Sequence, residues 1–187
     1  MKKGIILLIA MMAQMLSVVA YADGHLTFRG IDIAGSMKDF TTALEAETGW
    51  AKDSALTEAE DEVYYLVSDE DLNYVVEVDG TIITNTVYRV RVHYFMYAPE
   101  KEEDKQRGFD TVANMLTQIY GEPTYSANYK RNYEPEFGIV SIELEDLKDK
   151  ENMVHIRSTF LDKEGDKLFD QERADMDLYD IWGRLNL

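Results

Sequence analysis

The spacing of hydrophobic positions changes several times along the chain, and each change marks an element. His25-Leu26-Thr27-Phe28 alternates polar with apolar, Gly30 interrupts, and Ile31 and Ile33 resume. This predicts a first strand with a bulge or bend at the glycine. Gly35-Ser36 then offers a turn and an N-cap, with Asp39 at the third helical position, before Met37, Phe40, Ala43 and Leu44 recur at helical spacing. The pattern predicts a helix over about 37–48, stopped by Gly49. From Trp50 to Glu62 no period is sustained, and Thr57-Glu58-Ala59-Glu60 suits a turn of helix or a loop. Alternation with β-branched and aromatic residues returns over 63–67, 74–78 and 87–97, broken by Ser68-Asp69-Glu70-Asp71 and by a turn at Asp79-Gly80. These segments read as an antiparallel meander.

Pro99 and the charged run 100–107 are expected to end that sheet segment. Phe109, Val112, Met115, Leu116 and Ile119 mark a second amphipathic helix, closed at Tyr120-Gly121-Glu122-Pro123 by a glycine cap followed by proline. Two further alternating strands, 139–145 and 153–160, flank a polar loop over 146–152. A final helix within 168–185 carries Ala174, Leu178, Ile181, Trp182 and Leu185 on one stripe, which is expected to dock on the sheet. The fold class is α+β: an antiparallel β-sheet with helices packed on one face. The two central helices also repeat at an offset of 72, Phe40 answering Val112, Leu44 answering Leu116 and Gly49 answering Gly121. That leaves open a duplicated helix-then-strands unit with a half boundary near 98–104.

The first 22 residues change the picture by adding a targeting signal. Lys2 and Lys3 precede an uncharged stretch rich in Ile, Leu and Met, and Ala20-Tyr21-Ala22 supplies the small-residue end of a secretory signal. Gln14 and Ser17 interrupt the apolar run, whereas a membrane span needs roughly 20 predominantly apolar residues. Cleavage after Ala22 is therefore expected, leaving one α+β domain over 23–187, exported to the periplasm or beyond and not inserted in a membrane. With no cysteine anywhere, the chain has no site for the lipid of a bacterial lipoprotein, no disulfide and no thiolate ligand.

Net charge narrows the partners. Taking Lys2 and Lys3 from a chain of net charge −17 leaves −19, a field that repels nucleic acid and anionic lipid.

Candidate chemistry is sparse. The three histidines, His25, His93 and His155, sit on predicted strands among polar neighbours, none beside a Gly-x-Ser-x-Gly turn, and read as ordinary surface histidines before they read as catalytic or metal-binding. No phosphate loop or His-Glu-x-x-His is present. Carboxylates are so abundant that any pair chosen for glycoside hydrolysis is uninformative. Asp69-Glu70-Asp71 and Asp162-Lys163-Glu164-Gly165-Asp166 lack the ligand spacing of an EF-hand and read as solvated turns. No metal and no cofactor are expected. Tyr125, Tyr129, Tyr133 and Phe137 recur every four residues, a spacing that offers a sugar-stacking platform or, more simply, core and sheet packing. On the strand over 87–97, alternation puts Arg89, Arg91 and His93 opposite Tyr88, Val90, Val92 and Tyr94. These three basic residues are the candidate ligand-binding group, an anion or partner site on an acidic surface. The plainer reading is cross-strand ion pairing of the kind expected between His155 and Arg157 and the carboxylates Glu143 and Glu145.

The segment His25-Leu26-Thr27-Phe28-Arg29-Gly30-Ile31-Asp32-Ile33-Ala34-Gly35-Ser36, followed by Phe40 and Leu44, resembles the start of a family of small secreted proteins of unknown function from anaerobic bacteria. The run Leu116 to Pro123 and the late Phe160-Leu161-Asp162-Lys163 fit the same family, in order, over most of the mature chain. The motifs are structural and carry no named activity. At fold level the element order is similar to small envelope modules that resemble β-lactamase-inhibitor proteins, in which the sheet face is a protein-binding surface. The expected function is a non-catalytic binding or protein-interaction module of the cell envelope, its partner another envelope or extracellular protein. The alternatives are a hydrolase acting on envelope or dietary polymers through paired carboxylates and a structural envelope protein without a specific ligand.

Overall fold

The computed structural model describes residues 24–57, 59–69, 72–97, 102–146 and 153–185, with the side chains of the last helix described as far as Asp177. The signal expected over 1–22 lies outside the described residues. So do positions 147–152 of the late loop and the side chains of Leu178, Ile181, Trp182 and Leu185 in the terminal stripe.

The N-terminal segment reverses where the alternation suggested only a bend. β1 (Thr27–Phe28) pairs antiparallel with β2 (Ile31–Asp32), Phe28 opposite Ile31. Arg29 and Gly30 both take positive φ, 54° and 78°, and two left-handed residues in succession make the tight turn whose twist matches a hairpin. The Arg29 guanidinium lies 5.1 Å over the Trp50 ring, which helps hold the unusual arginine conformation.

Helix α1 (Met37–Thr48) has the predicted bounds. Ser36 Oγ accepts from the Asp39 N–H at 3.1 Å, and Gly49, at φ 70°, returns its N–H to the Glu45 carbonyl at 2.8 Å. A meander follows through β3 (Glu62–Asp69), β4 (Leu72–Gly80) and β5 (Val87–Tyr97). The turn expected at Asp79-Gly80 lies further on. Asp79 is in the ladder opposite both Glu62 and Arg89, Gly80 is opposite Val87, and the chain reverses over 81–86. Tyr88 is the extra residue between those two pairs. This bulge takes it out of the alternation, so its ring stacks on Phe169 (4.7 Å, 14°) while Val90, Val92 and Tyr94 enter the core cluster.

The second helix, α2 (Glu102–Tyr120), starts inside the charged run, whose acidic residues Glu102, Glu103 and Asp104 suit a helix N-terminus. Lys105 in that run is buried and paired with Asp146 and Glu102. Next come β6 (Tyr125–Ala127), β7 (Lys130–Tyr133), β8 (Gly138–Asp146), β9 (Met153–Asp162) and α3 (Lys163–Leu185). The aromatic series does not form one face. The β6–β7 turn divides it, leaving Tyr125 exposed, Tyr129 in the turn at φ 58° and Tyr133 fully buried with its hydroxyl donating to the Ala113 carbonyl. Helix α3 begins before the expected start because Asp162 caps it. This buried carboxylate accepts from the N–H groups of Glu164, Gly165 and Leu26 at 3.1, 2.9 and 2.8 Å, so the acidic segment read as a solvated turn is a helix start tied to the N-terminal strand.

All pairings are antiparallel, and the large sheet has seven strands in the order β3-β4-β5-β9-β8-β7-β6. About the β5–β9 pair, β3-β4-β5 on one side answers β7-β8-β9 on the other, each set preceded by a helix, and β6 is an extra edge strand on the second side. The helices match more closely than the sequence reading claimed. The buried residues Met37, Phe40, Thr41 and Leu44 of α1 stand 72 positions before Phe109, Val112, Ala113 and Leu116 of α2, and both helices close on a left-handed glycine. The strands match at an offset of 66, β4 onto β8, so the difference falls in the connection after each helix. One core cluster takes side chains from α1, α2 and one face of every strand from β3 to β9 except the short edge strand β6.

Candidate functional site

The other face of the sheet carries the candidate residues. Strand alternation and register lay its side chains in rows across β3, β4, β5, β9, β8 and β7. One row runs Leu66, Val75, His93, Arg157, Glu143, Lys130; the next runs Tyr64, Glu77, Arg91, Thr159, Ser141, Asn132; a third runs Glu62, Asp79, Arg89, Leu161, Ile139.

Arg89 and Arg91 are paired with the two carboxylates of β4. Arg89 donates from Nε and Nη2 to Asp79 at 3.0 and 3.2 Å, and Arg91 donates to Asp79 at 2.7 Å and to Glu77. Both carboxylates are buried, Glu77 to 5 % and Asp79 to 3 % exposure. The basic group therefore does not stand clear of acidic neighbours. The sequence reading missed this because it assigned Asp79 to a turn, and because the β4–β5 register that faces Glu77 with Arg91 depends on the length of the 81–86 connection. Burial pushes the Glu77 carboxyl up, but the hydrogen bond to His93 and the Arg91 charge outweigh that and hold it below the usual range. Burial likewise works against the charge on Arg89, and the bond to Asp79 more than restores it. Tyr64 completes the cluster, its hydroxyl donating its one hydrogen between Glu77 at 3.0 Å and Glu62 at 3.2 Å.

His93 is the third candidate, and it leads to a residue that sequence reasoning left as a surface histidine. Its Nε2 lies 2.9 Å from Glu77, and its Nδ1 lies 3.0 Å from Nε2 of His155. The two imidazoles are within 11° of coplanar with centroids 5.2 Å apart, the geometry of an in-plane N–H···N bond. Phe95 lies against His155 at 4.8 Å and 9°. His155 is buried, and its environment disfavours its charge: burial, then the neighbouring His93 and Arg157, hold its pKa below the ordinary value. The two histidines are diagonal neighbours only because β5 pairs with β9, a contact between strands 56 or more residues apart that no local pattern announces. The symmetry of the two halves was the available signal. The third histidine, His25, is elsewhere, 3.2 Å from Asp162.

The cross-strand pairing expected between β8 and β9 is present, and the register sets Glu143 opposite Arg157 and Glu145 opposite His155. Arg157 donates to Glu143, which Lys130 also approaches at 3.4 Å. Among the described residues, Glu62, Glu77 and Asp79 are the one group of three ligating side chains within 4.8 Å. The guanidinium groups of Arg89 and Arg91 already neutralise two of the three.

An open groove of about 550 Å³ follows α2 and is lined by Glu102, Gln106, Asp110, Asn114 and Tyr129 among others. A glycosidase needs one carboxyl held protonated. Glu102 is held the other way, its pKa lowered by hydrogen bonds to Tyr129 and Lys105.

No helix among the described residues is long and apolar enough to cross a membrane. The chain matches no protein-family model, no curated protein and no solved structure.

Proposed function

We propose that this is a non-catalytic, exported binding module of the cell envelope that takes a protein partner on the sheet face opposite α1 and α2. One observation carries the reading: on a chain of net charge −17, this face is close to charge-balanced and partly apolar. Glu77, Asp79 and Glu143 are met by Arg89, Arg91, Arg157 and Lys130, while Glu62 accepts from Tyr64 and Glu145 lies beside His155. Phe95 stands 39 % exposed against His155, and Leu66, 52 % exposed, lies in the row of His93 with Val75 between them. Interface cores favour aromatic residues and arginine whose charges are already matched, because an unmatched charge is costly to desolvate. The two arginines are held by two carboxylates, so docking does not require them to be ordered afresh. The fold-level resemblance to β-lactamase-inhibitor-like modules points to the same face.

The test is affinity capture of envelope and extracellular proteins by the purified protein, repeated with Leu66→Lys combined with Phe95→Ser. The expected outcome is saturable capture of a defined protein that the double variant loses while its melting temperature is retained. Capture that survives the double variant, or none at all, contradicts the proposal. Release of reducing sugars from envelope polymers would replace it with the hydrolase reading.

A further inference from the structure

We propose that Nδ1 of His155 and the carboxylate of Glu145 form a two-ligand site for an imidazole-binding divalent metal ion such as zinc(II), with Glu77 and His93 as the outer pair that orients it. The argument follows the protons. Glu77 is an ionised acceptor, so the 2.9 Å contact to His93 Nε2 requires that nitrogen to carry hydrogen, and in the neutral imidazole Nδ1 is then an acceptor. The 3.0 Å contact from that Nδ1 to His155 Nε2 then requires His155 to donate. His155 is left with a bare lone pair on Nδ1, and that lone pair faces Glu145 Oε2 at 3.9 Å. Two acceptors face each other across a gap too long for a hydrogen bond. Zinc binds imidazole nitrogen and carboxylate oxygen at about 2.0–2.2 Å each, so one ion spans this gap with a small shift of the exposed Glu145 side chain.

The surroundings are those of a ligating histidine. Such a ring hands its other N–H to an acceptor that fixes tautomer and orientation, and here the acceptor is His93, itself fixed by Glu77. The Phe95 ring holds the His155 plane. The remaining coordination positions fall to water on the exposed side. Its two ligands lie outside the acidic trio Glu62, Glu77 and Asp79, of which Glu77 alone takes part, through His93, and the site does not depend on the protein-binding reading.

Zinc(II) titrated into the purified protein near neutral pH, followed by competition with a chromophoric chelator and by ¹⁵N spectra of the imidazoles, tests the proposal. The expected result is one zinc per chain with the His155 Nδ1 resonance shifted. Binding should be lost in His155→Ala and weakened about tenfold or more in Glu145→Gln. In His93→Phe, which removes the orienting partner, it should weaken by about 10–100-fold. Glu145 is exposed, so its variant tests the site even if His155→Ala perturbs folding. Binding no tighter than millimolar in the parent protein, zinc binding unchanged in Glu145→Gln, or binding lost instead in His25→Ala would each overturn it.

Discussion

A row of like pairs on one sheet face conceals two energetic regimes, and exposure separates them. Arg157 and Glu143 are each about one-third exposed, so water screens the pair and the ordinary surface value applies. Arg91 serves two carboxylates that are almost fully buried, and removing it leaves Asp79 to Arg89 and Glu77 to His93 and Tyr64, two buried charges with one guanidinium between them. Arg91→Ala should therefore cost about 3 kcal/mol by urea denaturation, at the low end for a broken buried pair because Arg91 itself is partly exposed. Arg157→Ala should cost under about 1 kcal/mol. Equal losses would mean that the burial of Glu77 and Asp79 has no energetic consequence.

The same residues set the acid response. Glu77, Glu143 and Glu172 all have folded-state pKa values below the ordinary 4.5, so they stabilise the fold above that value and lose the contribution as pH falls through it. His155 is lowered from 6.5, which means that the unfolded chain takes the proton first, and stability falls with pH from about 6.5 downward. Both effects have the same sign. Unfolding free energy measured against pH should show an early decline beginning near 6.5 and a steeper one below 4.5. His155→Gln should remove only the early part.

At the scale of elements, two buried carboxylates tie the described part of α3 to the rest of the fold. Asp162 fixes its start, and Glu172, 4 % exposed, accepts from the Ile83 and Thr84 N–H groups and from the hydroxyls of Thr84 and Thr81 at the β4–β5 turn. Glu172→Ala leaves several donors without a partner and should cost about 2–3 kcal/mol in a thermal or denaturant melt. A loss near zero would show that the turn and the helix are independent. Much of the element map was legible, for local reasons. Ser36, Asp39 and Gly49 fix α1 within a few residues of chain, and alternation with β-branched residues fixes β5. What was not legible depends on distance. Asp79 looks like a turn residue beside Gly80 until Glu62 and Arg89 flank it, Lys105 looks solvated until Asp146 meets it, and Asp162 looks like a loop acid until the N–H of Leu26 reaches it. The arginine candidates were found, whereas His155 was passed over because its partner is on a strand from the other half.

In the whole molecule, the two halves are joined through β5 and β9, nine residue pairs in unbroken register from Arg89–Leu161 to Tyr97–Met153. The halves share one core cluster, so neither has a separate hydrophobic interior to retain when the other opens. Leu44→Ala and Leu116→Ala occupy matched positions, both fully buried, and each should cost about 2–5 kcal/mol. Circular dichroism and tryptophan fluorescence should report a single coincident transition in both variants. Two resolved transitions would show that the halves fold separately.

The same junction builds the proposed binding face, since β4 and β5 supply Glu77 and His93 and β9 supplies His155. A preorganised face requires the Glu77–His93–His155 chain to be fixed in one proton arrangement. Nitrogen-15 chemical shifts of the imidazole rings in the metal-free protein near neutral pH measure this most directly. The account predicts that His93 and His155 are each protonated on Nε2 and bare on Nδ1. A proton on His155 Nδ1, or shifts averaged between tautomers in either ring, would contradict it.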